Sequence, residues 1–293
     1  MVRGISMRSS MATGCASLGR FWENNGYNVL IMKIVSAIVM VFIVWAPGPR
    51  ESTCKRERLF NKRDLTGWYS FLRGAGRNRD SLGVFTVNKG LLHISGQEFG
   101  CITTQKEYEN FHLIAEYKWG KRTWGDREGH ARDCGILIHS TGPDGAYDGA
   151  WMRAIECQII EGGTGDLILM GDGTSAFSIT CPVASAKQED CYVFKPSGAT
   201  ASIEGSGRIN WEFRDPAWKD TEGYRGSVDV EKPAGEWNKL ECVAHNGEVY
   251  LYLNDRLVNH ATRVRPSRGH IQLQSEGAEI LFRRIDLYSE RCK

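Results

Sequence analysis

The residues best equipped for chemistry lie on short alternating segments. In Ile155-Glu156-Cys157-Gln158-Ile159 the apolar positions share one side of an extended chain, so Glu156 and Gln158 project together from the other. The same period pairs Leu137 with His139 in the 135–139 stretch, and sets Gln272, Gln274 and Glu276 apart from Ile271 and Leu273. Carboxylates and side-chain amides offer the paired donors and acceptors that sugar hydroxyls require, and such groups need either solvent or a ligand. The pattern therefore fits a carbohydrate groove. It fits equally an antiparallel sheet with one solvated face, and alternation alone leaves both open. Trp124, Tyr147 and Trp151 stand in Gly-rich stretches, where aromatic rings either stack on sugars or anchor a core.

Other chemistries find no support. Gly162-Gly163-Thr164-Gly165 and Gly171-Asp172-Gly173 lack the strand-to-helix setting of a phosphate loop, and no Gly-x-Ser-x-Gly elbow is present. Asp166 and Asp172 belong to no twelve-residue calcium loop. The formal charge of +2 is uneven: residues 1–46 carry +3, which leaves −1 on the rest. That remainder has no general attraction for nucleic acid or an anionic membrane.

The elements that must position these residues are strands. The 84–94 stretch reads as two short strands about an Asn88-Lys89-Gly90 turn, and residues 111–119 alternate cleanly. Residues 237–254 form a hairpin about Asn246-Gly247, since both central residues of a two-residue turn need positive φ. Strand after strand without helical periods predicts an all-β chain of antiparallel sheets stacked face to face. Residues 47–293 read as a single domain, with a less patterned loop insertion around 184–227.

Lys33 followed by the apolar run 34–46 and Pro47 reads as a signal peptide of a secreted or periplasmic protein, and residues 1–31 as a mis-called extension before Met32. An uncleaved 34–46 segment would instead act as an anchor, the one route to a membrane. Export permits disulfides among the eight later cysteines, and Cys181 with Cys191 is the pair favoured by loop length; buried free thiols are the alternative for Cys134, Cys157 and Cys242.

Several segments together resemble the 3-keto-disaccharide hydrolase family, whose fold is a concanavalin A-like jelly-roll sandwich. They are Leu59-Phe-Asn-Lys-Arg-Asp-Leu-Thr-Gly-Trp68, Asp133-Cys-Gly-Ile136, Trp151-Met-Arg-Ala-Ile-Glu-Cys-Gln158, Gly235-Glu-Trp-Asn238, Gly269-His-Ile-Gln-Leu-Gln274 and Phe282-Arg283. They fall in the family's order over residues 58–289. Lys62 replaces a usual glycine, Asp133 and Arg284 replace asparagines, and Glu276 stands where histidine is frequent.

The resemblance implies cleavage of glycosides already oxidised at C3. The ketone acidifies the C2 proton, so one base and an enolate stabiliser suffice, whereas an ordinary glycosidase needs two carboxylates about an oxocarbenium ion. Glu156 is then the expected base and His139 the proton donor. A divalent metal is a possible cofactor, with His139 and Glu156 as its ligands. Arg283 would face the enolate, and Gln158, Trp151, Gln274 and Glu276 would hold the sugar; a surface ion pair with Asp286 or Glu279 is the other reading of Arg283. The rival function is a non-catalytic carbohydrate-binding or adhesion module. A deep cleft covered by the 184–227 segment would favour the enzyme, and a shallow open platform the binder.

Overall fold

Asn246 and Gly247 adopt φ values of 49° and 75°, and His245 pairs with Glu248 across them, so the expected two-residue hairpin turn is formed. The same logic builds the rest of the chain. The computed structural model describes residues 55–289 apart from Glu189. The 34–46 segment, Cys54 and Cys292 lie outside the described residues.

Two sheets stack face to face. One runs in the order Ala199–Glu204, Ser178–Val183, Arg256–Arg265, Glu248–Leu253, Asn238–His245, Phe111–Thr123, Ala278–Tyr288, Leu91–Ile94 and Phe85–Asn88, with Arg56–Arg58 also paired to Ala278–Tyr288. The other runs Tyr192–Val193, Ser206–Asn210, Leu167–Met170, Arg153–Ile160, Asp133–Thr141, His270–Ser275, Gly100–Thr104, Trp68–Leu72 and Gly76–Arg77. Among the described residues only Tyr192–Val193 pairs in parallel, with Ser206–Asn210. Among the described residues there is no α-helix, and the one helical turn is a 3₁₀ turn at Gly125–Arg127. The chain is thus the antiparallel β-sandwich that strand alternation predicts.

Alternation decides what is buried. Leu113, Ala115, Tyr117 and Trp119 of one sheet meet Ile136, Ile138, Ile155, Cys157 and Ile159 of the other in a continuous core. Each such aliphatic side chain contributes about 1.5–3 kcal/mol of burial free energy. A second, smaller apolar cluster sits on the outer face of the nine-stranded sheet, where Trp151 and Ala150 cover Cys101, Leu137, Ala154 and Met170. That face is therefore partly roofed.

Two sequence-based expectations are corrected here. The 184–227 stretch is not all loop: Tyr192–Val193, Ala199–Glu204 and Ser206–Asn210 are strands that extend the edges of both sheets. Cys181 and Cys191 are both free thiols, so the favoured bridge is not formed. Cys181 is buried on a strand of one sheet, while Cys191 adjoins an edge strand of the other. Loop length alone could not reveal that separation. The thiols of Cys157 and Cys242 instead hydrogen-bond to each other across the core.

Glu231 is another buried departure from a plain apolar interior. It is 3% exposed and accepts hydrogen bonds from the Tyr117 hydroxyl (2.6 Å) and Trp119 Nε1 (2.9 Å). Burial pushes its carboxyl up to about 8, against the two hydrogen bonds. A carboxyl raised on folding contributes stability that is fully present below its unfolded value and lost as pH rises through about 8. Glu231→Gln keeps an acceptor and cannot ionise. Its melting temperature should exceed that of the parent increasingly from about pH 5 to about pH 9. A temperature difference that does not change between those pH values would contradict this.

Candidate active site

The strand Asp133–Thr141 turns Cys134, Ile136 and Ile138 into the core and therefore Asp133, Gly135 and Leu137 outward. Its neighbour Arg153–Ile160 sets Gln158 opposite Gly135 and Glu156 opposite Leu137. On the other flank, His270–Ser275 sets Gln272 opposite Leu137 and Leu273 opposite Ile136. Glu156 and Gln274 consequently converge over Gly135. The Oε1 atoms of both occupy the space that a β-carbon at 135 would need, so glycine there is a requirement of the site. The Gln274 side chain hydrogen-bonds to the Glu156 carboxyl, and Gln158 Nε2 donates to Asp133 Oδ1 at 2.8 Å.

This is not a solvated face. Asp133 is 8% exposed, Glu156 5%, Gln158 4% and Gln274 1%. Burial is the largest influence on the Glu156 carboxyl and drives its proton affinity up; the charge of Asp133 adds to this, and Arg208 and Gln274 oppose it. Asp133 is raised by burial against the pull of Arg127 and Arg208. The half-buried Glu276 is raised by burial and then by Asp133 and Glu156. Burial and mutual repulsion thus favour the proton on all three carboxyls, and loss of a proton from one opposes its loss from the others. The Tyr147 phenol belongs to the same field: burial raises it first, then the charges of Glu156, Asp148 and Glu276.

Two arginines temper the negative charge. Arg208 lies opposite Ile168, which in turn lies opposite Glu156, and its Nε donates to Asp166 Oδ2 at 3.0 Å. Arg127 Nη2 stands 3.8 Å from Asp133 Oδ2 and 2.9 Å from Asp220 Oδ1. Among the described residues, Gln158 Oε1 and Gln274 Oε1 are buried and have no hydrogen-bond partner. Buried acceptors left open are costly unless a ligand supplies donors, and sugar hydroxyls are such donors.

Residues 215–225 are tied to the ends of the site strands. Arg132 Nη1 donates to Glu161 Oε1 at 2.7 Å, and its other terminal nitrogen reaches Glu222. Glu161 Oε2 accepts from the backbone N–H of Gly223 at 2.8 Å, and the Glu161 carbonyl accepts from Trp218 Nε1 at 2.8 Å.

Not every residue expected at the site is there. Glu156, Gln158, Gln274 and Glu276 are brought together; His139, Arg283 and Trp151 are placed differently. Pairing shifts between Ile138 and Thr141, and His139 takes φ 52°. The imidazole is thereby turned inward to pack edge-on against Phe111 of the opposite sheet, 5.7 Å between ring centres. Burial holds its pKa down to about 4. Arg283 belongs to the other sheet, where it pairs with Glu116 and lies over Trp237. Trp151 is 4% exposed and donates to the Gly100 carbonyl at 2.8 Å, so its ring anchors the loop and offers no face to a sugar. Gln272, also aligned by alternation, is spent on Thr103 Oγ1 and the Met152 N–H.

A cation held jointly by His139 and Glu156 does not fit this arrangement, because the two side chains leave opposite faces of the sheet. Among the described residues no three His, Cys, Asp or Glu side chains converge as a metal-binding group. The residues that sequence reasoning missed are Arg127, Arg208 and, as a member of the site, Asp133. The outward phase of Asp133 was readable, since it shares the period of Gly135 and Leu137. The two arginines come from other parts of the chain, and no local pattern marks them.

Two face-packed, largely antiparallel sheets with a carboxylate cluster on one outer face make the described residues an all-β sandwich. The chain belongs to the 3-keto-alpha-glucoside-1,2-lyase-like domain family, whose model matches residues 55–287. Similar solved structures include a candidate glycosyl hydrolase from Parabacteroides distasonis, at 19% identity over 80% of this chain and 93% of the other, with a TM-score of 0.47. The carbohydrate binding module CBM66 of Bacillus subtilis is 13% identical over 75% of this chain and 94% of the other, with a TM-score of 0.37. The β-glucanase of Bacillus licheniformis is 10% identical over 81% and 98%, with a TM-score of 0.39. No curated protein matches the sequence.

Proposed function

We propose that the chain cleaves the glycosidic bond of a sugar already oxidised at C3, with Glu156 as the base. The observation that carries this reading is the buried cluster itself: Glu156, raised in proton affinity and pressed by Asp133 and Glu276, beside two open amide oxygens. The Glu156 carboxylate removes the proton at C2, and the electron pair delocalises onto the C3 ketone as an enolate. The enolate then forms a C1–C2 double bond and expels the aglycone from C1. The departing oxygen takes its proton from the protonated member of the Asp133–Glu276 pair. Addition of water across the double bond completes a net hydrolysis. Arg208 and Arg127 supply positive potential for the enolate, and Gln158 and Gln274 accept hydrogen bonds from sugar hydroxyls.

The test is incubation with a panel of 3-keto-glycosides and their unoxidised parents. Release of aglycone from the keto compounds alone supports the reading. Cleavage of the parents, or binding without turnover of either, overturns it in favour of an ordinary glycosidase or a binding module.

Gly135→Ala gives a second, independent prediction. The added methyl displaces the Glu156 and Gln274 oxygens while the backbone stays in place. Overpacking of this kind costs about 1–3 kcal/mol, so the variant should fold with a lowered melting temperature. The kcat/KM on a keto-glycoside should fall at least tenfold, equivalent to about 1.4 kcal/mol of transition-state stabilisation. Unchanged kinetics would show that neither oxygen is placed for catalysis.

A further inference from the structure

The outer face of the ten-stranded sheet carries a polar cavity, on the side of the sandwich away from Glu156. Five cations, Arg56, Arg58, Lys62, Arg283 and Arg284, face two carboxylates, Glu116 and Asp286, around a volume of about 360 Å³. The carboxylates fix the arginines in place. Arg56 Nη2 donates to Asp286 Oδ2 at 2.7 Å, and Arg284 spans Asp286, Glu116 and the Tyr288 hydroxyl. Arg283 Nε holds Glu116, and its guanidinium lies 4.5 Å from the centre of the Trp237 ring. These guanidinium forks are oriented before any ligand arrives, which removes much of the ordering cost of binding.

The pairing is incomplete. Among the described residues, Arg56 Nη1 and both terminal nitrogens of Arg283 have no acceptor, and the Arg58 and Lys62 side chains have no counter-ion. Lys62 is moreover held at φ 67°, a left-handed conformation that costs a non-glycine residue roughly 1–2 kcal/mol. The turn that holds it is pinned by Asn61, whose Oδ1 accepts from the N–H groups of Arg63 and Asp64. A cation is thus kept at the rim of the cavity in an unfavourable backbone state, and such outliers concentrate where a ligand is bound.

The cavity is at the small end of the range for organic ligands and larger than a bare oxyanion fills. We propose that it binds a sugar-sized organic anion, a ring bearing a carboxylate, sulfate or phosphate group. The charged group would sit on the free nitrogens of Arg283, Arg56, Arg58 and Lys62. This site shares no residue with the Glu156 cluster, so its fate is independent of the proposed reaction.

Calorimetric titration of the whole chain with glucuronic acid, glucose 6-sulfate, glucose 6-phosphate, glucose and inorganic sulfate tests it. At least one charged sugar should bind and glucose should not, with affinity falling as salt is raised. The double substitution Arg58→Ala/Lys62→Ala removes the two unpaired cations and breaks no ion pair, so the melting temperature should hold while affinity drops about tenfold or more. Tightest binding of the phosphate ester points to a soluble sugar phosphate as the source; tightest binding of the uronate or sulfate ester points to an acidic polysaccharide. The proposal is overturned if no charged sugar binds, if the double variant binds as the parent does, or if inorganic sulfate binds as tightly as the sugars.

Discussion

Glu156→Gln is expected to slow turnover of a 3-keto-glycoside by about 10²–10⁴-fold, the usual contribution of a positioned general base. The amide keeps the shape of the side chain and its reach toward Gln274, so the binding term should change little. The pH dependence supplies a check that a merely structural role would not pass. Burial and the neighbouring Asp133 raise the Glu156 carboxyl, so the competent carboxylate form grows as pH increases through that raised value. The parent's kcat/KM should therefore rise on the acid side and fall again once the proton of the Asp133–Glu276 pair is lost, and the residual rate of the variant should lose the rising limb. Removing a buried charge also relieves repulsion on Asp133 and Glu276, so the variant should melt higher than the parent at neutral and alkaline pH. A variant with parental turnover on a substrate that the parent cleaves would remove Glu156 from the mechanism.

Arg132→Ala should be the most damaging substitution for stability. Arg132 is 7% exposed and Glu161 4%, and their ion pair anchors the Gly223 turn beside the site strands. Removing one partner strands the other charge in a dry setting, at about 3–5 kcal/mol. For a domain of this size that corresponds to roughly 10 °C in melting temperature. The segment 215–225 should become the first site of proteolytic cleavage, since its docking relies on Arg132, Glu161 and Glu222. Arg132→Met combined with Glu161→Gln removes both charges and preserves an acceptor for the backbone donors. That pair should recover more than half of the loss. A double variant as unstable as Arg132→Ala would show that packing, and not the orphaned charge, sets the cost.

Period-two alternation made the sandwich legible in advance, together with the shared outward face of part of the candidate site. Ile155, Cys157 and Ile159 commit Glu156 and Gln158 to the outer face, and the same rule aligns Gln274. His139 defeats the rule because the pairing shifts between Ile138 and Thr141 and His139 itself takes a left-handed backbone, and a bulge has no signature in the hydrophobic pattern. Arg283 defeats it for another reason. Alternation tells inward from outward within a strand, but it does not say which of two sheets the strand joins. Trp151 was ambiguous from composition, and its indole N–H settles the matter by reaching a backbone carbonyl. Arg127 and Arg208 enter the site through tertiary proximity, which one strand at a time cannot reveal.

Arg127 stands between Asp133 and Asp220 and serves both. Its single charge is divided between a carboxyl in the site and one in the segment that docks beside it. The two events are therefore linked, and linkage is reciprocal. The charge of Asp220 favours the proton on Asp133, against the pull of Arg127. Loss of that proton strengthens the claim of Asp133 on Arg127 and weakens the hold on Asp220 by the same factor. The protonation of Asp133 and the contact of Asp220 with the site are thus coupled through one shared cation.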